Sequence, residues 1–298
     1  MTSSKHLFLP VLPIVLACLV VLSVRAQPSS VLRGEYILRA AGGCSCHTDL
    51  KNKGAFLAGG RPIKTPFGQV YATNITPDPK TGIGNWSDED FIKAMTEGVG
   101  PKGLHYFPVF PYTSFTQMTK QDLLDLKAYL FSVPSVEKEN TPPDLIPPFG
   151  WRFGLRVWKW LYFSPGPFQP NATQSPQWNR GAYLVTALSH CGECHTPRNL
   201  MGGLKSKMSY AGSVDGPEGE LAPNITPDEA TGIGQWSIPD MVWFLQTGLK
   251  PDGDDTQGLM RELIKKGYQY LSEGDLQAIA VHLRSLKRIH NKVIAREK

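Results

Sequence analysis

The sequence predicts an all-α molecule built from two small helical units in tandem, and three observations carry that prediction. The first is a long internal repeat. Residues 74–86 read NITPDPKTGIGNW and residues 224–236 read NITPDEATGIGQW, with ten of thirteen positions identical at an offset of 150. A period this long marks a duplicated unit, not a solenoid. The second is a helix-start signature used four times: Ser87-x-x-Asp90, Thr119-x-x-Asp122, Ser237-x-x-Asp240 and Ser272-x-x-Asp275, each just ahead of an apolar periodic run. The third is composition. Twenty-nine Gly and 25 Pro in 298 residues favour short elements between structured loops, and strand signals are weak throughout.

Along the chain, Lys5 precedes a largely apolar run, Leu7 to Val24, that ends in Val24-Arg25-Ala26. Residues 1–26 are expected to be a secretory signal peptide cut after Ala26, or an N-terminal membrane anchor. Val15-Leu16-Ala17-Cys18 faintly resembles a lipoprotein cleavage site, but the apolar run continues past Cys18, so that reading is set aside. The first unit is expected over 27–133. It opens on an RGEYIL helix (Arg33–Leu38), and Leu123, Leu126 and Leu130 share one face of its final helix. A Pro-rich stretch, PSVEKENTPPDLIPPFG, then begins a linker over 134–178. Its later part, Trp151 to Phe163, interleaves aromatics with Arg152, Arg156 and Lys159. Two readings stay open there: an amphipathic helix on a membrane or partner surface, or a helix packed across the interface between the units. The second unit, 179–298, repeats the plan with RGAYLV (Arg180–Val185) and Leu276, Ile279 and Leu283.

The formal net charge of +5 includes Lys5 and Arg25; without the first 26 residues it is +3. The bases form no cluster of the kind that binds nucleic acid.

Four cysteines lie beyond residue 26, in two tight pairs, each followed by a histidine. A disulfide within either pair would close a negligible loop and stabilise little. Cys191-Gly192-Glu193-Cys194-His195 is a full Cys-x-x-Cys-His. Two thiols three residues apart on a helical turn face one side and can add to the two vinyl groups of one haem. The adjacent histidine is then placed to bind the iron. A thioredoxin-like site lacks its βαβ surroundings here, and a zinc knuckle would want both pairs in one unit.

The first motif, GGCSCH, is one residue short. Cys44 and Cys191 each lie 11 residues after the repeat arginines Arg33 and Arg180, whereas His47 lies 14 after and His195 15 after. Cys44, Cys46 and His47 therefore answer Cys191, Cys194 and His195. An i, i+2 pair diverges by roughly 200° on a regular helix, so both thiols reach one haem only through a distorted turn. Gly42 and Gly43 supply the freedom for it. A haem is expected here through Cys46, with Cys44 as a second bond if the turn allows. For the sixth iron position the second unit offers Met260. The first has Phe107 and Phe110 where a Met is expected, leaving Met118, His105 or an open position.

With both Cys/His motifs, both NITPD–TGIG–W loops, FPVFPYTSF and RGAYLV–CGECHTPRNL, residues 31–288 resemble the cytochrome c subunits of membrane-associated alcohol, gluconate and sorbitol dehydrogenases, its dihaem members above all. The resemblance implies two class I cytochrome c-like domains, each a few short helices around a covalently bound haem c. It implies Cys191 and Cys194 as attachment residues, His47 and His195 as proximal ligands, and Met260 as a distal ligand; Cys44 and Cys46 are expected to attach the first haem from the repeat offset. The implied role is transfer of single electrons from a periplasmic dehydrogenase subunit towards membrane quinone or a terminal oxidase. Three departures stand out: two haem units where many relatives have three, Phe110 where relatives often carry Met, and the shortened first motif. A dihaem redox enzyme of peroxidase or thiosulfate-oxidising type, reacting at the first haem, is the alternative. No acid/base pair or nucleophile emerges, so no catalytic residue is assigned.

Overall fold

A computed structural model describes residues 28–295; the expected signal or anchor segment, 1–26, lies outside them. The first half contributes α1 (Ser29–Ala40), β1 (Pro62–Thr65), β2 (Gly68–Tyr71), α2 (Asp88–Glu97), the one-turn α3 (Tyr112–Phe115) and α4 (Lys120–Leu130). Then come β3 (Asp144–Leu145) and α5 (Gly154–Tyr162). The second half contributes α6 (Pro176–Tyr183), α7 (Cys191–His195), α8 (Ile238–Thr247), α9 (Gly258–Lys266) and α10 (Glu273–Arg284).

All four predicted caps form. Ser87, Thr119, Ser237 and Ser272 each accept the N3 amide, at the starts of α2, α4, α8 and α10. Gly98 and Gly248 end α2 and α8 in the left-handed conformation that favours glycine. In each half the first helix crosses the last at very close range. A Cβ on Gly34 would sit 1.9 Å from the Asp125 carbonyl oxygen, and one on Gly181 would sit 1.9 Å from that of Ala278. Only glycine permits either crossing. Leu38, Leu123, Leu184, Leu188, Ile264 and Leu276 are fully buried in one apolar cluster that runs through both halves. Each such side chain contributes roughly 1.5–3 kcal/mol by leaving water.

The all-α expectation needs one correction. The fold is mostly helical but carries a small antiparallel sheet of order β1-β2-β3, with Thr65 opposite Gly68 at the hairpin and Gly68 opposite Leu145. The strands are four, four and two residues long. Runs so short carry no readable alternation.

Residues 134–145 are bound, not free. The Asn74 side chain donates to the Val136 carbonyl at 2.7 Å, and the Asn140 side chain accepts from the Asn74 amide at 2.7 Å. In the second half Asn224 likewise donates to the Ile289 carbonyl at 2.8 Å. The NITPD loops are therefore structural knots: Asn74 also accepts from Thr76, and Asp78 from Thr81, with the same contacts at Asn224 and Asp228.

Helix α5 packs on the molecule with its polarity reversed. Leu155 is buried, and Lys159 donates to the Glu97 and Gly98 carbonyls at 2.6 and 3.0 Å. Arg152 donates to the His105 carbonyl at 2.6 Å. Phe153 (74% exposed), Val157 and Trp160 (82% exposed) face outward. Among the described residues no helix is long and apolar enough to cross a membrane.

Candidate functional site

The two Cys/His motifs occupy matching places. Each follows the first helix of its half, and the residue ahead of the first cysteine is left-handed in both: Gly43 at φ 74° and His190 at φ 40°. In the second half Cys191 to His195 form one α-helical turn. In the first, Gly42 (φ 76°), Gly43 and Cys44 (φ 48°) are all left-handed before the chain resumes a 3-10 turn to His47. The shortened motif thus takes the distortion that its spacing demands, and the glycines carry most of it.

The histidines show the same chemistry twice. His47 Nδ1 lies 2.7 Å from the Thr73 carbonyl oxygen, and His195 Nδ1 lies 2.7 Å from that of Pro223. A carbonyl only accepts, so each Nδ1 carries the proton and donates it. Nε2 is left with its lone pair free, the arrangement that orients an imidazole toward a metal. Burial lowers the pKa of both rings. All four cysteines are free thiols. Burial pushes Cys44, Cys191 and Cys194 up to about 12 and raises Cys46 as well. Yet Cys46 is exposed and the other three are half-buried. Paired thiols beside a metal-oriented imidazole fit a covalently held haem.

At one further pair of matching positions the halves diverge. Antiparallel bridges join Val99 to His105 and Leu249 to Asp255, and Phe110 and Met260 each come five residues after the bridge. Both are half-buried against the core. Phe110 therefore stands where the second half has Met260, among Tyr106, Tyr112 and Phe115. Met118 is 3% exposed and directly precedes the cap of α4, as Leu271 (5%) precedes that of α10. Its counterpart is a core side chain. His105 is engaged with α5: Lys159 donates to Nδ1 at 2.9 Å and Arg156 lies 3.5 Å from Nε2. Burial, then these cations, lower its pKa.

Each motif is also gripped by the other half. Thr113 and Ser114 donate to Glu193 at 2.6 and 3.0 Å, and Arg198 pairs with the same carboxylate at 2.5 Å. Arg61 pairs with Glu262 at 2.6 Å and Glu218 at 3.0 Å, and lies 3.4 Å from the Ser45 carbonyl. After burial, the neighbours that hold Cys194 protonated are Glu193, Cys191 and, from the other motif, Cys46. The two motifs thus lie within electrostatic reach. Sequence reasoning missed Arg61 and Glu193 as cross-links; Glu193 is a variable position of its motif and carried no signal.

A small helical fold with paired thiols beside an imidazole tied to a backbone carbonyl defines a c-type cytochrome. The chain is 39% identical to a dihaem c-type cytochrome of Cereibacter sphaeroides, across 86% of each chain. It is 39% identical to the fructose dehydrogenase cytochrome subunit of Gluconobacter japonicus, across 89% of this chain and 56% of that one. It is 38% identical to the gluconate 2-dehydrogenase cytochrome c subunit of Pantoea cypripedii, across 88% and 60%. The chain thus spans little more than half the length of the two dehydrogenase subunits. No protein-family model matches it. The chain belongs to the family of c-type cytochromes that includes the dihaem cytochromes and the cytochrome subunits of sugar and alcohol dehydrogenases.

Proposed function

We propose that this chain is a dihaem cytochrome c, exported to the periplasm or the periplasmic face of the inner membrane. Its cytochrome c domains span 27–133 and 179–298. It takes single electrons from a dehydrogenase catalytic subunit and passes them towards membrane quinone or a terminal oxidase. The observation that carries this reading is the repeated histidine geometry, Nδ1 on a carbonyl at 2.7 Å with Nε2 free beside two thiols. The named relatives are themselves dehydrogenase cytochrome subunits, which supports the donor.

Cys191 and Cys194 hold one haem, and Cys46 with Cys44 the other. His195 and His47 are the proximal ligands. The haem iron supplies reversible one-electron chemistry; the chain fixes its position, excludes water and sets its ligands. Met260 is proposed as the sixth ligand in the second domain, and methionine opposite histidine raises a potential. In the first domain Met118 is the remaining methionine candidate, since His105 is engaged with α5. The outward face of α5 is proposed as the membrane contact. The exposed Phe153, Val157 and Trp160 support that contact.

Mass spectrometry of the intact exported protein tests the haem count, with two covalent haems expected. Stopped-flow mixing with a reduced dehydrogenase tests the role. A protein that carries no haem, or is never reduced by any such partner, sinks the reading. Phe110 in the place of Met260 favours a second reading, a redox enzyme reacting at an open first haem. That reading requires ligand exchange at this haem and turnover of peroxide or thiosulfate.

A further inference from the structure

The helices α4 and α10 begin with the same signature as α2 and α8, yet their caps are completed differently. In α2 and α8 the N3 carboxylate returns to the N-cap amide: Asp90 to Ser87 at 3.1 Å and Asp240 to Ser237 at 2.8 Å. In α4 and α10 a tyrosine hydroxyl from the opposite half stands between those two groups. Tyr183 accepts from the Thr119 amide at 3.1 Å and donates to Asp122 at 2.5 Å. Tyr36 accepts from the Ser272 amide at 3.1 Å and donates to Asp275 at 2.7 Å. Tyr36 and Tyr183 are the same position of the two repeats, Arg-Gly-x-Tyr, eight residues ahead of the first cysteine of each pair.

We infer that Tyr36 and Tyr183 are positioning residues for electron exchange between the two sites. Each hydroxyl plugs the opposite half's final helix and so fixes one haem motif relative to the other. The inference rests on the dihaem reading above.

Three observations argue for fixed placement over incidental contact. Both hydroxyls use donor and acceptor at once, and each satisfies an amide at a helix start that has no partner within its own helix. Both acceptors are carboxylates, and bonds to charged groups contribute more than neutral ones. Burial raises the pKa of both phenols, so each keeps the proton it donates. Further contacts converge on the same seam: Ser189 donates to the Ala40 carbonyl at 2.9 Å and Arg39 to the Lys266 carbonyl at 2.9 Å. The first helix of each half, which leads directly into its cysteines, is thereby tied to the other half.

The test uses the holoprotein with Tyr36→Phe, Tyr183→Phe and the double substitution, which delete two oxygens and keep both rings. Hydrogen exchange at the Thr119 and Ser272 amides reads the clasp itself. Each single variant is expected to speed exchange at the opposite half's cap severalfold and to leave Ser87 and Ser237 unchanged. Soret circular dichroism reads haem–haem placement. A wild-type couplet is expected to weaken in the double variant, while haem content and axial ligation stay constant. Unchanged exchange at both caps overturns the inference. So does a two-haem protein whose Soret signal ignores both substitutions, because a merely stabilising contact would lower the melting temperature and nothing more. A wild-type protein holding fewer than two haems refutes the dihaem reading instead, and the amide exchange then still decides whether the clasp exists.

Discussion

The two halves place a histidine and two thiols alike but build the surroundings from different residues. In the second half a regular helical turn presents Cys191 and Cys194, and Met260 lies half-buried against the core. In the first, three consecutive left-handed residues lead through Cys44 to Cys46, and Phe110 takes the place of Met260. What both keep is the Nδ1–carbonyl bond and the glycine crossing; what varies is the turn and the sixth position. On the dihaem proposal, the constant parts would place the iron and the variable parts would tune it.

The largest expected effect separates the attachment chemistry. Replacing both Cys191 and Cys194 by Ala should remove one covalent haem, read as the loss of one haem mass from the intact protein. Replacing Cys44 alone should leave the first haem attached through Cys46. Loss of that haem on the single change would show that the distorted turn depends on both thiols.

Next come the crossings. Gly34→Ala and Gly181→Ala each drive a methyl group into a carbonyl oxygen 1.9 Å away. Each should destabilise by about 3 kcal/mol, measured by denaturant unfolding. Equal costs would confirm that the halves pack alike; a much smaller cost at one would show that its helices part easily.

Phe110→Met would make the first distal side resemble the second. The ferric protein should gain a second methionine–iron charge-transfer absorption. Its absence would place the first half's sixth ligand elsewhere, Met118 included.

A smaller, pH-dependent difference follows from His282, which occupies the position of Tyr129 in the repeat. Burial lowers its pKa to about 4. Its neutral form is the one the fold accepts, so its contribution is complete above the unfolded value of about 6.5 and is lost as pH falls towards 4. The cost at the acid end is on the order of 3 kcal/mol. His282→Tyr should flatten the stability–pH curve between about 4 and 6.5. An unchanged slope there would mean that other groups carry it.

The smallest effect lies on α5. Trp160→Ser should alter stability by less than about 0.5 kcal/mol, yet weaken binding of segment 151–163 to anionic vesicles, read by amide exchange. Unaltered protection would remove the membrane proposal.

Local signals were legible because they are local. Each cap signature spans four residues, each Cys/His motif four or five and each NITPD loop thirteen, and the structure forms all four caps. The haem reading of Cys191–His195 came from spacing alone. The sheet was not legible, since β3 pairs with β2 from some 75 residues away through only two residues. The acids of Thr119-x-x-Asp122 and Ser272-x-x-Asp275 read as ordinary cap partners. Their carboxylates take a tyrosine from the other half, a pairing that no local pattern encodes. The 134–178 segment read as a spacer because its composition is polar and Pro-rich, while its backbone carbonyl at Val136 secures the Asn74 loop.

The tyrosine contacts have one more consequence. Tyr36 meets Asp275, and the equivalent Tyr183 meets the equivalent Asp122. A surface on which residue i touches j while j′ is touched by i′ is the isologous contact of a symmetric homodimer. Here both partners belong to one chain. The two tyrosine contacts between the halves thus have the reciprocal form of a symmetric dimer contact, made within one chain. Because both halves belong to one chain, each carries its own residues at matching places, Phe110 in the first and Met260 in the second.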